Sequence, residues 1–208
     1  MRSEGLRGLY AVTDPGLVAR ETLPEAVAAA IRGGARVVQY RDKTATEAER
    51  VGTARLLAEI CRRAGVLFIV NDDPGLAAKV GADGVHLGRE DAALEEARAL
   101  LGAEAIIGVS CYADLDRARR AATSGADYVA FGRFFPSRTK PDAVPAHPEL
   151  LGQAKKELGL PVVAIGGITP ENGAALLVAG ADMLAVVHGL FGQPDIEAAA
   201  RRFTRLFG

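Results

Sequence analysis

Eight short runs of apolar, largely β-branched residues recur along the chain: Leu9 to Val12, Arg36 to Gln39, Leu67 to Val70, Gly84 to Leu87, Ala105 to Val109, Tyr128 to Phe131, Pro161 to Ile165 and Leu184 to Val187. They lack the in-out alternation of a half-exposed strand. Strands read this way when a core lies on one face and helices cover the other, as in a parallel sheet. Helical stretches fill the intervals. Glu21 to Ile31 carries Pro24 in its first turn, and Thr46 to Arg63 places Val51, Leu56, Leu57 and Ile60 near one face. Pro74 to Lys79, Ala92 to Leu101, Leu115 to Ala122, Pro148 to Glu157, Pro170 to Val178 and Ile196 to Phe207 complete the set. The pattern is eight strand–helix pairs.

Glycines mark the joints. Gly8, Gly34, Gly65, Gly81, Gly102, Gly125, Gly159 and Gly180 each stand before a run, where a helix must turn into the next strand and a positive φ is favoured. Four belong to a repeat at every second joint: Gly34-Ala35-Arg36, Gly81-Ala82-Asp83, Gly125-Ala126-Asp127 and Gly180-Ala181-Asp182. Eight units in 208 residues leave 26 residues for each, enough for a short strand, a helix and tight loops. The expected architecture is a single (β/α)8 TIM barrel over residues 1–208. A doubly wound open sheet is the competitor, but its Gly-x-Gly-x-x-Gly loop after the first strand is missing.

Composition narrows the chemistry. Lys plus Arg number 25 against 26 Asp plus Glu, for a net charge of -1. No long-range field therefore draws in nucleic acid or an anionic membrane, and any anion must be held locally. The longest uncharged stretch, between Glu157 and Glu171, is too short and too rich in Gly and Pro to span a bilayer. The N-terminus shows no signal-peptide core, so the expected compartment is the cytoplasm. Cys61 and Cys111 lie far apart and outside any CxxC, which favours core or free thiols over a disulfide or a thiolate metal site.

In a barrel of this kind chemistry sits at the C-terminal ends of the strands. The chain delivers Thr13-Asp14 there after the first run, then Gln39, Arg41 and Lys43, Asn71-Asp72, His86 with Asp91, Ser110, then Ser137, Thr139 and Lys140, Gly166-Gly167, and Val187-His188-Gly189. Polar loops in general explain about half of these, since Asp and Asn are frequent N-caps. They explain the cations poorly. Arg41, Lys43 and Lys140 on one mouth repel one another unless an anion lies between them, and a phosphate group is the natural guest. Asp72 and Asp91 either cap the helices that follow or hold a hard divalent metal, and spacing leaves both open. Bare backbone N–H groups at Gly167 and at Val187-His188 make a second anion site. His86, within an apolar run, reads as structural, and His147 as a surface residue.

These residues resemble one known family, thiamine-phosphate synthase, over essentially the whole chain. The matching motifs are Tyr10-Ala-Val-Thr-Asp14, Gln39-Tyr-Arg-Asp-Lys43, Asn71-Asp72, Gly84-Val-His-Leu-Gly-Arg-Glu-Asp91, Gly108-Val-Ser110, Ala126-Asp-Tyr-Val-Ala-Phe-Gly132, Phe135-Pro-Ser-Arg-Thr-Lys140 and Ala164-Ile-Gly-Gly-Ile168. The resemblance implies a transferase that joins 4-amino-2-methyl-5-hydroxymethylpyrimidine diphosphate to a thiazole phosphate, with Mg2+ as cofactor. It implies that Arg41, Lys43, Asn71 and Lys140 bind the diphosphate and that Asp72 and Asp91 hold the metal. Gln39 and Ser110 would address the pyrimidine and its leaving group, Ser137 and Thr139 the thiazole, and Gly167, Val187 and His188 its phosphate. The chain departs from the family pattern at Cys111-Tyr112, at Ser137 where Thr is usual, and at His188 where Ser often stands. Partners are small molecules, with no nucleic acid or membrane; a homo-oligomer stays open. Two other readings compete: a thiazole tautomerase-like isomerase, which has no need of Asp72, Asp91 or the Lys140 loop, and a non-catalytic barrel that binds a phosphometabolite.

Overall fold

The computed structural model describes residues 6–88, 94–136 and 145–208. Eight parallel strands close on themselves: β1 (Gly8–Val12), β2 (Val37–Tyr40), β3 (Leu67–Asn71), β4 (Gly84–Leu87), β5 (Ile106–Tyr112), β6 (Tyr128–Phe131), β7 (Val162–Ile165) and β8 (Met183–Val186). Closure is explicit at Tyr10, which registers with Val37 on one side and Ala185 on the other. Helices α1 (Leu23–Arg32), α2 (Glu47–Ala64), α3 (Pro74–Val80), α4 (Leu94–Leu101), α5 (Leu115–Thr123), α6 (Glu149–Leu158) and α7 (Pro170–Val178) follow the first seven strands. The expected (β/α)8 barrel is the observed fold.

The last unit differs from the sequence pattern. A short helix, α8 (His188–Phe191), precedes α9 (Ile196–Thr204), which ends early in a 3-10 turn at Arg205–Phe207. Burial of Leu190 and Phe191 explains the extra turn, since both must reach the core directly after β8. Asp195 then starts α9 by accepting the Ala198 amide at 2.9 Å.

The runs lack polar alternation because the two faces of each strand enter two different apolar cores. Leu9, Ala11, Val38, Phe68 and Val70 point outward to the helices. Tyr10, Val12, Val37, Ile69, Tyr128 and Met183 point into the barrel. Inward space is limited. At Gly108 an added methyl would overlap the Tyr128 ring, so glycine there makes the room that the ring occupies.

The Gly-Ala-Asp repeat belongs to the foot of the barrel. Each of its three Asp carboxylates accepts the backbone N–H of a residue in the preceding strand: Phe68 to Asp83 at 2.7 Å, Ile107 to Asp127 at 2.8 Å and Val162 to Asp182 at 2.8 Å. The Asp amides return a bond to the carbonyls of the same three residues. Arg36, at the fourth position, keeps only the backbone part, donating its amide to Leu9. The glycine at the head of each Asp triplet has a positive φ, which aims the turn into this pairing. The repeat thus clamps the strand starts and lies at the end opposite the rim.

Two outcomes follow from this packing. Asp182→Ala removes the acceptor of the Val162 amide and the partner of Lys155, which lies 2.6 Å from the carboxylate, and should cost about 1–3 kcal/mol in urea unfolding; an unchanged midpoint would exclude the clamp. Cys61 and Cys111 are fully buried, and burial pushes both thiols up to about 12. Neither should react with a thiol reagent at pH 8 until the chain unfolds, as timed against loss of circular dichroism.

Candidate active site at the C-terminal rim

A cavity of about 480 Å3 opens at the C-terminal ends of the strands. Val12, Ala130, Val163, Ile165 and Ala185 make an apolar floor, while Gln39, Arg41, Asn71 and Ser110 supply side-chain polar groups to its wall. Gly166, Gly167, Val187 and His188 bring backbone to it. Pockets of this size, mainly apolar with a few convergent polar groups, are typical ligand sites.

The strand ends fix where each group stands. Buried Thr13, just past β1, accepts the Arg41 amide at 2.9 Å and donates to the Arg41 carbonyl at 3.2 Å, so the residue after β2 is tied to its neighbour strand. The loop from Arg41 to Thr46 is built around the Asp42 carboxylate. It accepts the Thr44 amide and hydroxyl at 2.8 Å, the Ala45 amide at 3.0 Å and Arg20 Nε at 2.9 Å. With Asp42 turned inward, the flanking cations separate. Arg41 faces the main cavity, 3.8 Å from Asp14. Lys43 lines an adjoining cavity of about 330 Å3, and Asn71 lies in the wall of both.

Asp72 lies in that second wall, its Oδ2 2.7 Å from Lys43 Nζ. It adopts φ +64°, a left-handed conformation that costs a residue other than glycine about 1 kcal/mol or more. The helix-capping alternative for Asp72 is corrected by its neighbour: Asp73 caps α3, accepting the Leu76 amide at 2.8 Å, and pairs with Arg50. The N-cap of α3 is therefore Asp73 and not Asp72. Its amide bonds to the His86 carbonyl at 2.9 Å, holding the turn against β4.

On the far side, a register shift between β5 and β6 falls at Ser110 and Tyr112, and Tyr112 takes φ +57°. Such bulges re-aim a side chain at a barrel rim. Arg117 steadies this one: its Nε donates to the Ser110 carbonyl at 2.8 Å, its Nη2 to the Gly88 carbonyl at 3.0 Å, and its guanidinium lies 6.0 Å from the centre of the Tyr112 ring. After β7, Gly166 and Gly167 have φ +106° and +66°, and a methyl on Gly167 would overlap the Pro136 carbonyl. Among the described residues, the amides of Gly167 and His188 donate to no protein acceptor, which leaves both for a ligand.

Three comparisons bear on what this site belongs to. The sequence pattern of the family described as thiamine monophosphate synthase matches residues 9–190. The thiamine-phosphate synthase of Marinobacter nauticus is 55% identical over 209 residues, covering 100% of this chain and 94% of that protein. That of Thioalkalivibrio sulfidiphilus is 55% identical over 98% of this chain and 97% of its own. The chain belongs to the thiamine monophosphate synthase family. A solved structure, the thiamine phosphate pyrophosphorylase of Pyrococcus furiosus, superposes with a TM-score of 0.89 at 34% identity, covering 99% of this chain and 96% of that one.

Of the residues that resemblance to this family singles out, the main cavity brings together Gln39, Arg41, Asn71, Ser110, Gly167, Val187 and His188. Lys43 and Asp72 line the adjoining cavity. Ser137, Thr139, Lys140 and Asp91 lie outside the described residues. Tyr10 and Gln193, which were given no role, also line the main cavity, as do Tyr112, named above as a departure from the family pattern, and His86, read above as structural. Tyr10 carried a readable signal, since it shares the inward parity of its run, but a tyrosine in an apolar run reads as core. His147 is exposed, as expected. No helix of the described residues is long and apolar enough to cross a membrane.

The Asp42 loop sets a pH dependence. Burial by itself would push the Asp42 carboxyl up, but the Thr44 amide, Arg20, the Thr44 hydroxyl and the Ala45 amide together hold it below the ordinary carboxylate value of 3.8. A depressed folded pKa contributes stability that is complete above the unfolded value and is lost as pH falls through the folded one. The Arg41–Thr46 loop should therefore keep its amide shifts from pH 7 to 4 and lose them only below, with the Asp42 carboxyl titrating under 3.8 by NMR. Titration above 4 would contradict the loop geometry.

Proposed function

We propose that this chain, acting as one barrel unit over residues 1–208, is a thiamine-phosphate synthase: a transferase that joins the pyrimidine diphosphate to the thiazole phosphate and releases diphosphate. One observation carries the reading. The main cavity sets a cationic wall at Arg41 and a backbone wall at Gly167 and His188 around an apolar floor. Two phosphorylated heterocycles with their rings in contact need that distribution. The substrates are small molecules, and the reaction is assigned to the cytoplasm.

In this reading the bond between the pyrimidine methylene carbon and the diphosphate oxygen breaks with its electron pair on the oxygen, and the aminopyrimidine stabilises the cation left behind. The thiazole nitrogen lone pair then forms the new C–N bond. The protein has little covalent work. Arg41, Lys43, Asn71 and Lys140 take the charge that grows on the leaving group, Gln39 and Ser110 hold the pyrimidine and the departing oxygen, and Ser137 and Thr139 face the thiazole. Gly167, Val187 and His188 hold the thiazole phosphate through backbone.

The donor set fits Mg2+. Asp72 offers a hard carboxylate oxygen at the mouth of the cationic wall, and Mg2+ is usually held by one or two carboxylates with phosphate oxygens and water completing its shell. Asp72 with Asp91 would hold it, and when bound it would neutralise diphosphate oxygens.

The test is diphosphate release from both substrates in the presence of Mg2+, run on the wild type and on Lys140→Ala. The wild type should release diphosphate only when both substrates are present. Lys140→Ala should lower turnover by about 10²–10³-fold while calorimetry finds thiazole phosphate binding nearly unchanged, because that phosphate rests on backbone elsewhere. No release by the wild type defeats the reading; loss of thiazole phosphate binding in Lys140→Ala means the two anion sites are assigned the wrong way round.

A further inference from the structure

Four hydrogen bonds run in single file beneath the cavity and join five strands. Gln39 Nε2 donates to the Tyr10 hydroxyl at 2.7 Å, and the Tyr10 and Tyr128 hydroxyls lie 2.8 Å apart. Tyr128 Oη lies 2.9 Å from His86 Nδ1, and His86 Nε2 lies 2.9 Å from Ser110 Oγ. Tyr10 and Tyr128 are fully buried, and Gln39 and His86 nearly so. Packing holds the rings, with His86 stacked on Tyr128 at 5.5 Å between centres and Tyr10 edge-on to Tyr128 at 6.1 Å. Gln39 and Ser110, the two ends, line the main cavity together with Tyr10 and His86, while Tyr128 joins them from behind the wall.

Such a file has a direction. Burial pushes both phenols above their ordinary pKa, so each carries one proton and can donate once. An amide nitrogen donates only. With Gln39 Nε2 donating into Tyr10, the Tyr10 proton must pass to Tyr128 and the Tyr128 proton to Nδ1. Nδ1 is then the bare nitrogen of a neutral imidazole. The proton on Nε2 goes to Ser110, whose own hydroxyl proton is left for the cavity, as is the Gln39 carbonyl oxygen at the other end. Turning one end over while every proton of these four bonds stays paired reverses all four.

We propose that Tyr10, Tyr128 and His86 are positioning residues that fix the hydrogen-bonding sense of the site, so that Gln39 presents an acceptor and Ser110 a donor. Resting on the function proposed above, this gives the file a role in specificity. An exocyclic amino group on the ring donates to Gln39, and a departing diphosphate oxygen accepts from Ser110. A ring with a carbonyl in place of the amino group would meet acceptor with acceptor, unless the whole file turned over. Such mismatches discriminate strongly because a buried polar group is left unpaired.

The first arm needs neither substrate nor mutation. Long-range 1H–15N correlation on the ligand-free protein at pH 7.5, with only three histidines to assign, should show His86 with its proton on Nε2; a proton on Nδ1 overturns the proposal. This arm stands whether or not the chain releases diphosphate, so its failure is separate from failure of the functional reading. The second arm is Tyr128→Phe, which cuts the file and lets Gln39 rotate alone. With the fold retained by circular dichroism, the ratio of kcat/KM for the amino ring over its oxo analogue should fall by about tenfold or more. A role confined to packing would lower both values together, and an unchanged ratio overturns the proposal. If Tyr128→Phe does not fold, the imidazole tautomer decides alone.

Discussion

The interior of a closed eight-stranded barrel holds few side chains, and how each inward position is filled decides where packing ends and the cavity begins. Here the boundary is the Tyr128 ring. It lies fully buried in the space left by Gly108, among the inward core formed by Val37, Ile69, Ile106 and Met183. Its hydroxyl reaches the polar file between Gln39 and Ser110. Small inward residues above it, Ala130 and Ala185, leave the cavity open. Filling and emptying are thus parts of one packing solution, in which a large ring at one level closes the core and small residues at the next level form the floor of the site.

The two ends of the barrel handle charge in opposite ways. At the foot, Asp83, Asp127 and Asp182 are engaged by backbone N–H groups, and Arg98 and Lys155 pair with the last two. Those charges are satisfied and carry no chemistry. At the rim, one carboxylate is used in the same way: Asp42 is enclosed by its own loop. That enclosure sends Arg41 and Lys43 to two adjoining cavities and sets Lys43 against Asp72. The rim therefore keeps cations, a carboxylate and free backbone amides close to a largely apolar cavity, where low polarity strengthens each of them toward an anionic ligand.

Much of this was legible in the amino-acid order. Both-sided burial of parallel strands removes polar alternation, the helix-to-strand joints call for positive φ, and each of the eight joint glycines has it. Those are local or near-local constraints, so strand order, helix order and barrel class follow from the sequence. Rim residues follow from the barrel class, because strand ends can be counted. Gln39, Arg41, Asn71 and Ser110 were found in that way, and family resemblance assigned their roles.

Tertiary structure decided the rest, because it depends on which residues from distant strands meet. The purpose of the Gly-Ala-Asp repeat appeared only when each Asp was seen to accept an amide from the neighbouring strand, 15 to 20 residues earlier in the chain. Asp72 and Asp73 are adjacent carboxylates before one helix, and only the backbone turn shows that Asp73 caps it while Asp72 meets Lys43. Tyr10 and Tyr128, 118 residues apart, look like ordinary core aromatics until their hydroxyls meet inside the barrel. Sequence patterns record which face a residue turns to the core. Barrel closure alone decides what it finds there, since the partner's distance across the interior is set by all eight strands at once.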